Sequence, residues 1–179
     1  MISLYRQPLV VILCGVLLWT ITAQLNHYLA VWRLNLFTGG LLITCAALRF
    51  RSRVIWRIAL PLGLWVDAAS AVPFGMHAAL FLAASIVIFQ LRGRKPRTDL
   101  VFGVAIAVIS NAALFVVIAI AFAIRGPVQA GVVFTLLLNL LLSSVFVALA
   151  APWYFALQTR ALELAGINAR AQLGRTPQD

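Results

Sequence analysis

Two side chains that could carry chemistry, Asp67 and His77, lie ten residues apart on either side of Pro73. Asp67 is the only acid deep inside an apolar region, and a charge at the centre of a bilayer costs roughly 2.5–3.5 kcal/mol on insertion scales. Such a side chain faces the interior of a helix bundle or a cavity, where it either carries an ion or proton or accepts structural hydrogen bonds. No second intramembrane carboxylate is present, so we favour a structural acid that serves the backbone around Pro73 or pairs with His77. Asp67→Asn is then expected to be tolerated.

Few other residues offer reactive chemistry. His27 has no acid or cysteine near it in sequence, and Cys14 and Cys45 lie inside apolar stretches without the spacing of a zinc or redox site. Both cysteines are expected to be small buried hydrophobes. The sequence has no nucleophile motif, no glycine-rich phosphate loop and no carboxylate pair. We therefore predict a protein without catalytic residues, metal or cofactor, and not an enzyme.

Two asparagines, Asn111 and Asn139, interrupt the most apolar stretches, with Ser110, Ser143 and Ser144 close by. In lipid such groups bond across helices, typically at about 0.6 kcal/mol each. The favoured interpretation is that they hold helices together. The alternative is a polar lining for a small-molecule cavity.

Composition sets the class of protein. The chain has 179 residues, of which 64% are hydrophobic and 10% charged, and its mean hydropathy is +1.04. Soluble domains average about 45–50% apolar and about 25% charged residues. The sequence therefore predicts an all-α integral membrane protein, with one membrane domain over residues 1–157 and a polar cytoplasmic tail over 158–179. The net charge of +10 does not indicate nucleic-acid binding, because the Lys and Arg residues lie between the apolar runs.

Stretches without charged residues predict about six transmembrane helices. A helix of about 20 residues crosses a bilayer, and the apolar segment from 54 to 91 is too long for one helix. Pro73 stops a helix and restrains the residue before it, and Gly75 follows closely, so the segment should break there. The predicted helices span 8–30, 35–49, 54–70, 74–91, 99–124 and 129–156.

The positive charges predict the orientation, since cytoplasmic loops carry an excess of Lys and Arg. Alternate connections of the six-helix arrangement hold 12 basic residues on one side and 2 on the other. The larger set is Arg6, Arg49, Arg51, Arg53, Arg57, Arg92, Arg94, Lys95, Arg97, Arg160, Arg170 and Arg175. The smaller set is Arg33 and Arg125. The sequence thus predicts a multi-pass membrane protein with both termini in the cytoplasm.

Residues 62–78 carry a resemblance to a known family. Gly63 is followed four residues later by Asp67, then by the turn Pro73-Phe74-Gly75 and by His77. This pattern resembles the signature of MreD, the rod shape-determining membrane protein of bacteria. Six predicted helices, a similar length and Pro152 near the end of the last helix also resemble that family. The loop over residues 25–34 departs from it, since family members often have proline there.

The resemblance implies a role in cell shape and lateral peptidoglycan synthesis. MreD proteins belong to the elongasome, which links MreB filaments through the bitopic protein MreC to the synthase RodA and its transpeptidase. They resemble in fold the substrate-binding subunits of energy-coupling-factor transporters. The alternative is therefore a vitamin-type substrate-binding subunit, although residues 8–30 lack the Ala-x-x-x-Ala pattern those subunits use for docking. A neighbouring gene for a bitopic coiled-coil protein would favour elongation, and one for an ATPase would favour transport.

Overall fold

The computed structural model describes residues 3–50, 52–70, 72–92, 100–124 and 130–167, and this part of the chain is helical without strands. The prediction of an all-α protein is confirmed there. The helices are α1 (Ser3–Leu29), α2 (Gly39–Arg49), α3 (Ser52–Ala68), α4 (Met76–Leu91), α5 (Leu100–Ala123) and α6 (Ala130–Leu164). A short 3-10 turn, Ala30–Trp32, follows α1.

Five of the six helices begin and end within five residues of the predicted bounds, and α3 and α4 separate at the predicted Pro73–Gly75 break. Six of the twelve basic residues predicted to be cytoplasmic lie outside the described residues, namely Arg51, Arg94, Lys95, Arg97, Arg170 and Arg175. Arg125, which is predicted on the opposite side, also lies outside them.

The predicted start of the second helix was wrong. α2 begins at Gly39, four residues after position 35, and residues 34–38 have no regular secondary structure. The apolar sequence of this segment fits a helix, but polar side chains from three other helices bind its backbone in another conformation. Hydrophobicity locates a buried segment without distinguishing helix from irregular backbone in such a case.

The predicted end of the last helix, at 156, was also wrong, because α6 continues to Leu164 and includes the start of the predicted polar tail. Leu162 on this extension is buried beside Val11 and Ile55. The helix ends where Gly166 takes a φ of 73°, with Gly166 N–H donating to Glu163 O and Ile167 N–H donating to Leu162 O. This pair of bonds is a Schellman cap, and it stabilises a helix end. Residues 168–179 of the tail lie outside the described residues.

The short helix α2 lies at the centre of the bundle. Nine of its residues, from Gly39 to Ala47, are buried in succession. One core cluster joins α2 to α3, α4 and α5, and a second joins α2 to α1, α5 and α6. Cys14 and Cys45 are both buried in the second cluster, as expected of small hydrophobes.

Arg92, at the end of α4, binds the C-terminal end of α2. Its Nη1 donates to the carbonyls of Ala47 at 3.1 Å, Leu48 at 3.3 Å and Phe50 at 2.5 Å. These carbonyls carry the negative end of the helix dipole and lack helical partners, so a guanidinium satisfies both their charge and their hydrogen bonds. The contact fixes how deeply α2 lies against α4.

Three of the described helices, α1, α5 and α6, are long and apolar enough to cross a membrane, and α2 and α4 are shorter apolar helices. Exposed leucine, valine and phenylalanine side chains cover the outside of the long helices. A surface of this kind is suited to lipid, because a bilayer solvates apolar side chains. The chain is a membrane protein.

The six helices alternate in direction, so their ends form two clusters. The starts of α1, α3 and α5 and the ends of α2, α4 and α6 lie together at one end, called here the basic end. Among the described residues it carries Arg6, Arg49, Arg53, Arg57, Arg92 and Arg160. The opposite end, called here the neutral end, carries Arg33.

The contact between α3 and α4 depends on Gly63, where an added Cβ would lie less than 3.0 Å from the backbone of Ala78. We expect Gly63→Ala to lower the melting temperature, because overpacking of this kind costs about 1–3 kcal/mol. The measurement is the fraction of monodisperse protein remaining after heating in detergent. Gly131→Ala is the matched control, since nothing lies within 4 Å of its Cβ position. Equal stability of the two variants would contradict the close packing.

Candidate functional site

Asp67, at the end of α3, accepts four hydrogen bonds from the beginning of α4. Its Oδ1 accepts from the backbone N–H of His77 at 2.9 Å and lies 2.8 Å from His77 Nδ1. Its Oδ2 accepts from the N–H groups of Gly75 at 3.0 Å and Ala78 at 3.2 Å. The first N–H groups of a helix have no helical acceptor and form its positive end. The Asp67 side chain thus caps the N-terminal end of α4, although Asp67 belongs to the preceding helix.

The turn between α3 and α4 brings the motif residues together. Gly75 has a φ of 95°, a left-handed conformation that glycine adopts without strain, and its N–H points at Asp67. The N–H of Met76 donates to Pro73 O at 3.1 Å. Gly63, Asp67, Pro73, Gly75 and His77 therefore belong to one hairpin, although Ala71 of this turn lies outside the described residues.

His77 links this hairpin to an aromatic cluster. Its ring centroid lies 6.2 Å from that of Phe37 and 6.1 Å from that of Phe81. Its side chain is almost fully buried, and Nδ1 is engaged by Asp67. The other ring nitrogen, Nε2, makes no hydrogen bond within the described residues.

The irregular segment 34–38 is bound on its backbone by side chains from α1, α5 and α6. Asn26 forms a reciprocal pair with Leu36, accepting its N–H at 2.7 Å and donating to its carbonyl at 2.9 Å. The Phe37 N–H donates to Ser143 Oγ at 3.0 Å, and Phe37 O accepts from Asn111 Nδ2 at 2.8 Å. Irregular backbone at membrane depth persists only where protein or water satisfies it. Here protein side chains satisfy it.

The two predicted intramembrane asparagines both bind this region, rather than another helix side chain. Asn139 Oδ1 accepts the N–H of Asn35 at 3.0 Å, and Asn111 Oδ1 accepts the N–H of Gly40 at 3.0 Å. A Cβ on Gly40 would overlap the Asn111 backbone, so glycine permits this approach of α2 to α5. The sequence did not single out Asn26, since it lies at the end of a long charge-free stretch beside other polar residues.

A cavity of about 700 Å³ lies at the neutral end of the bundle. Trp19, Phe37, Phe115 and Phe122 supply aromatic walls, and His77 and Asn139 are among its polar groups. Small-molecule sites typically measure about 300–1,000 Å³ and are mostly apolar with a few placed polar groups. The described lining residues include no Asp, Glu, Lys or Arg. The arrangement can therefore hold an apolar molecule and orient it by hydrogen bonds.

Comparison with known proteins gives no relative, because no family model, curated protein or solved structure matches the chain.

The geometry of Asp67 revises the sequence-based expectation that Asn would be tolerated there. Both carboxylate oxygens accept backbone N–H groups, so an amide nitrogen in either position faces at least one donor. Each unpaired buried donor costs about 1–3 kcal/mol. We expect Asp67→Asn to reduce the yield of monodisperse protein in detergent and Asp67→Leu to reduce it further. Normal yield with complete loss of biological function in Asp67→Asn would instead indicate an ion or proton role.

Proposed function

We propose that this protein is a non-enzymatic component of the bacterial cell-elongation complex, acting in cell shape and lateral peptidoglycan synthesis. Its partners would be an MreC-like bitopic protein and, indirectly, MreB filaments and the RodA–transpeptidase synthase. It would cross the inner membrane six times, with both termini in the cytoplasm.

The dimensions of α2 support six crossings. At about 1.5 Å per residue, an 11-residue helix is roughly 16 Å long, about half of a bilayer core of about 30 Å. Residues 34–38 can extend the segment by at most about 3.3 Å each, or roughly 16 Å in total. Helix and irregular segment together can therefore approach the length of a crossing.

The two ends of the bundle support the orientation. Six arginines of the described chain gather at the basic end and a single one, Arg33, at the neutral end. Cytoplasmic loops are enriched in Lys and Arg. The basic end would face the cytoplasm, and the cavity would open towards the periplasm.

The observation that supports the cell-elongation proposal is that the motif residues together build one helical hairpin. Gly63 allows α3 to meet Ala78, Asp67 caps α4, and Gly75 supplies the left-handed turn between them. The residues that resemble the MreD signature thus have one joint role in building the α3–α4 hairpin.

The second candidate function is a vitamin-type substrate-binding subunit of a membrane transporter. The observation that favours it is the cavity of about 700 Å³. Its volume is typical of a small-molecule site. The proposed similarity in fold to the substrate-binding subunits of energy-coupling-factor transporters is compatible with both candidates.

Reporter fusions test the orientation. We expect a fusion after Arg97 and one near Arg170 to report the cytoplasm, and one at Val72 to report the periplasm, because the basic residues gather on the cytoplasmic side. The measurement compares alkaline phosphatase activity with green fluorescence for each fusion. A cytoplasmic signal at Val72 would contradict six crossings.

Depletion in a rod-shaped host that carries this gene as its sole copy tests the role. We expect rods to become spheres, and an MreC-like bitopic protein to co-purify with the tagged chain. Rescue should fail with Asp67→Leu, which leaves four donors without their acceptor, and succeed with Leu64→Ala on the exposed face of the same helix. Unchanged rods after depletion would refute a role in elongation, and vitamin auxotrophy would favour transport.

A further inference from the structure

The cavity at the neutral end is a partly open pocket of about 700 Å³, a volume within the range of small-molecule sites. One of its walls includes Trp19, which lies nearly three turns before the end of α1, or roughly 15 Å along the helix axis. The cavity therefore reaches deep between the helices.

Its walls favour a flat, uncharged occupant. Trp19, Phe37 and Phe115 line it, and the rings of Phe37 and Phe115 meet edge to face with centroids 6.2 Å apart. Aromatic rings pack against other rings at such separations with a preference of about 0.5–1.5 kcal/mol beyond burial. No formal charge is found on the described lining residues, so they offer no charged partner to an ion.

Several polar groups around the cavity already bind the protein backbone. Asn26 and Asn139 bind the backbone of residues 35 and 36. Among the described residues, several cavity-lining side chains keep a polar atom without a hydrogen bond, including Asn35, Asn139 at Nδ2, and His77 at Nε2, whose Nδ1 is engaged by Asp67. Of these three, His77 is the one whose ring packs against an aromatic wall of the cavity, that of Phe37. In a neutral imidazole whose Nδ1–H donates to a carboxylate, Nε2 is an acceptor.

We propose that this cavity binds an uncharged molecule with an aromatic ring system and an O–H or N–H group, which donates a hydrogen bond to His77 Nε2. Asp67 then has two tasks, since the carboxylate that caps α4 also fixes the orientation of the His77 ring. This inference rests on the second candidate function, the capture of a small molecule, and is independent of a role in cell elongation.

Indole tests the inference, since it is flat, uncharged and has a single N–H group; N-methylindole is the matched probe without that donor. The measurement is equilibrium dialysis of each probe against the full chain in lipid nanodiscs, with empty nanodiscs subtracted. We expect saturable binding, with indole binding about fivefold to tenfold more tightly than N-methylindole, as one hydrogen bond would give. N-methylindole partitions more strongly into lipid, so the comparison works against the expected result.

Two substitutions assign the binding to the cavity. Ala119→Phe places a ring inside it and should abolish binding of both probes, while Ala113→Phe, on the exposed face of the same helix, should leave binding intact. His77→Asn keeps a donor for Asp67 at the Nδ1 position but removes Nε2, so it should abolish the preference for indole.

Binding at the level of empty nanodiscs, equal affinity for the two probes, or binding that survives Ala119→Phe would each overturn the proposal. If His77→Asn does not fold, the comparison of the two probes and the Ala119 and Ala113 variants still test the proposal. Because the readout is binding by the purified chain, its failure leaves the cell-shape proposal standing, and unchanged rods after depletion would leave the binding result standing.

Discussion

Buried backbone groups must find hydrogen-bond partners inside the protein, and this requirement governs the neutral end of the bundle. Among the residues that the structure describes, two segments there leave the helical conformation, residues 34–38 and the turn after Ala68. The first is satisfied by Asn26, Asn111, Asn139 and Ser143, and the second by Asp67. Each unpaired buried group would cost about 1–3 kcal/mol. The polar side chains that face these two segments are therefore committed to the backbone.

This commitment limits what Asp67 can do. An ionised carboxylate has about four acceptor positions, and four donors from the start of α4 occupy them. Protonation or ion binding would have to displace bonds that hold α4 in place. Because all four acceptor positions are occupied, we infer a structural role for Asp67. This occupancy is a stronger reason for that role than the lack of a second intramembrane acid. His77 is the residue in this group that keeps a ring nitrogen for another partner.

The same polar contacts shape the cavity. Because segment 34–38 is irregular, Phe37 can face both His77 and Phe115. Asn111 binds both Phe37 and Gly40, so the beginning of α2 cannot separate from α5 without losing two buried hydrogen bonds. The walls of the cavity are thus held by hydrogen bonds on one side and by the Asp67 cap on the other. A pre-formed site of this kind loses little entropy when it binds a ligand.

The sequence by itself determined that the chain is helical and apolar, that the segment 54–91 breaks at Pro73 and Gly75, and that Asp67, His77, Asn111 and Asn139 are its unusual polar residues. These features follow from local properties, namely hydrophobic length and the restricted backbone of proline. The tertiary structure decided that residues 34–38 leave the helix, that Asn26 joins the polar set, and that α6 continues to Leu164. The physical reason is that these outcomes depend on partners distant in sequence. Asn139, for example, accepts a hydrogen bond from the backbone N–H of Asn35, which lies 104 residues earlier.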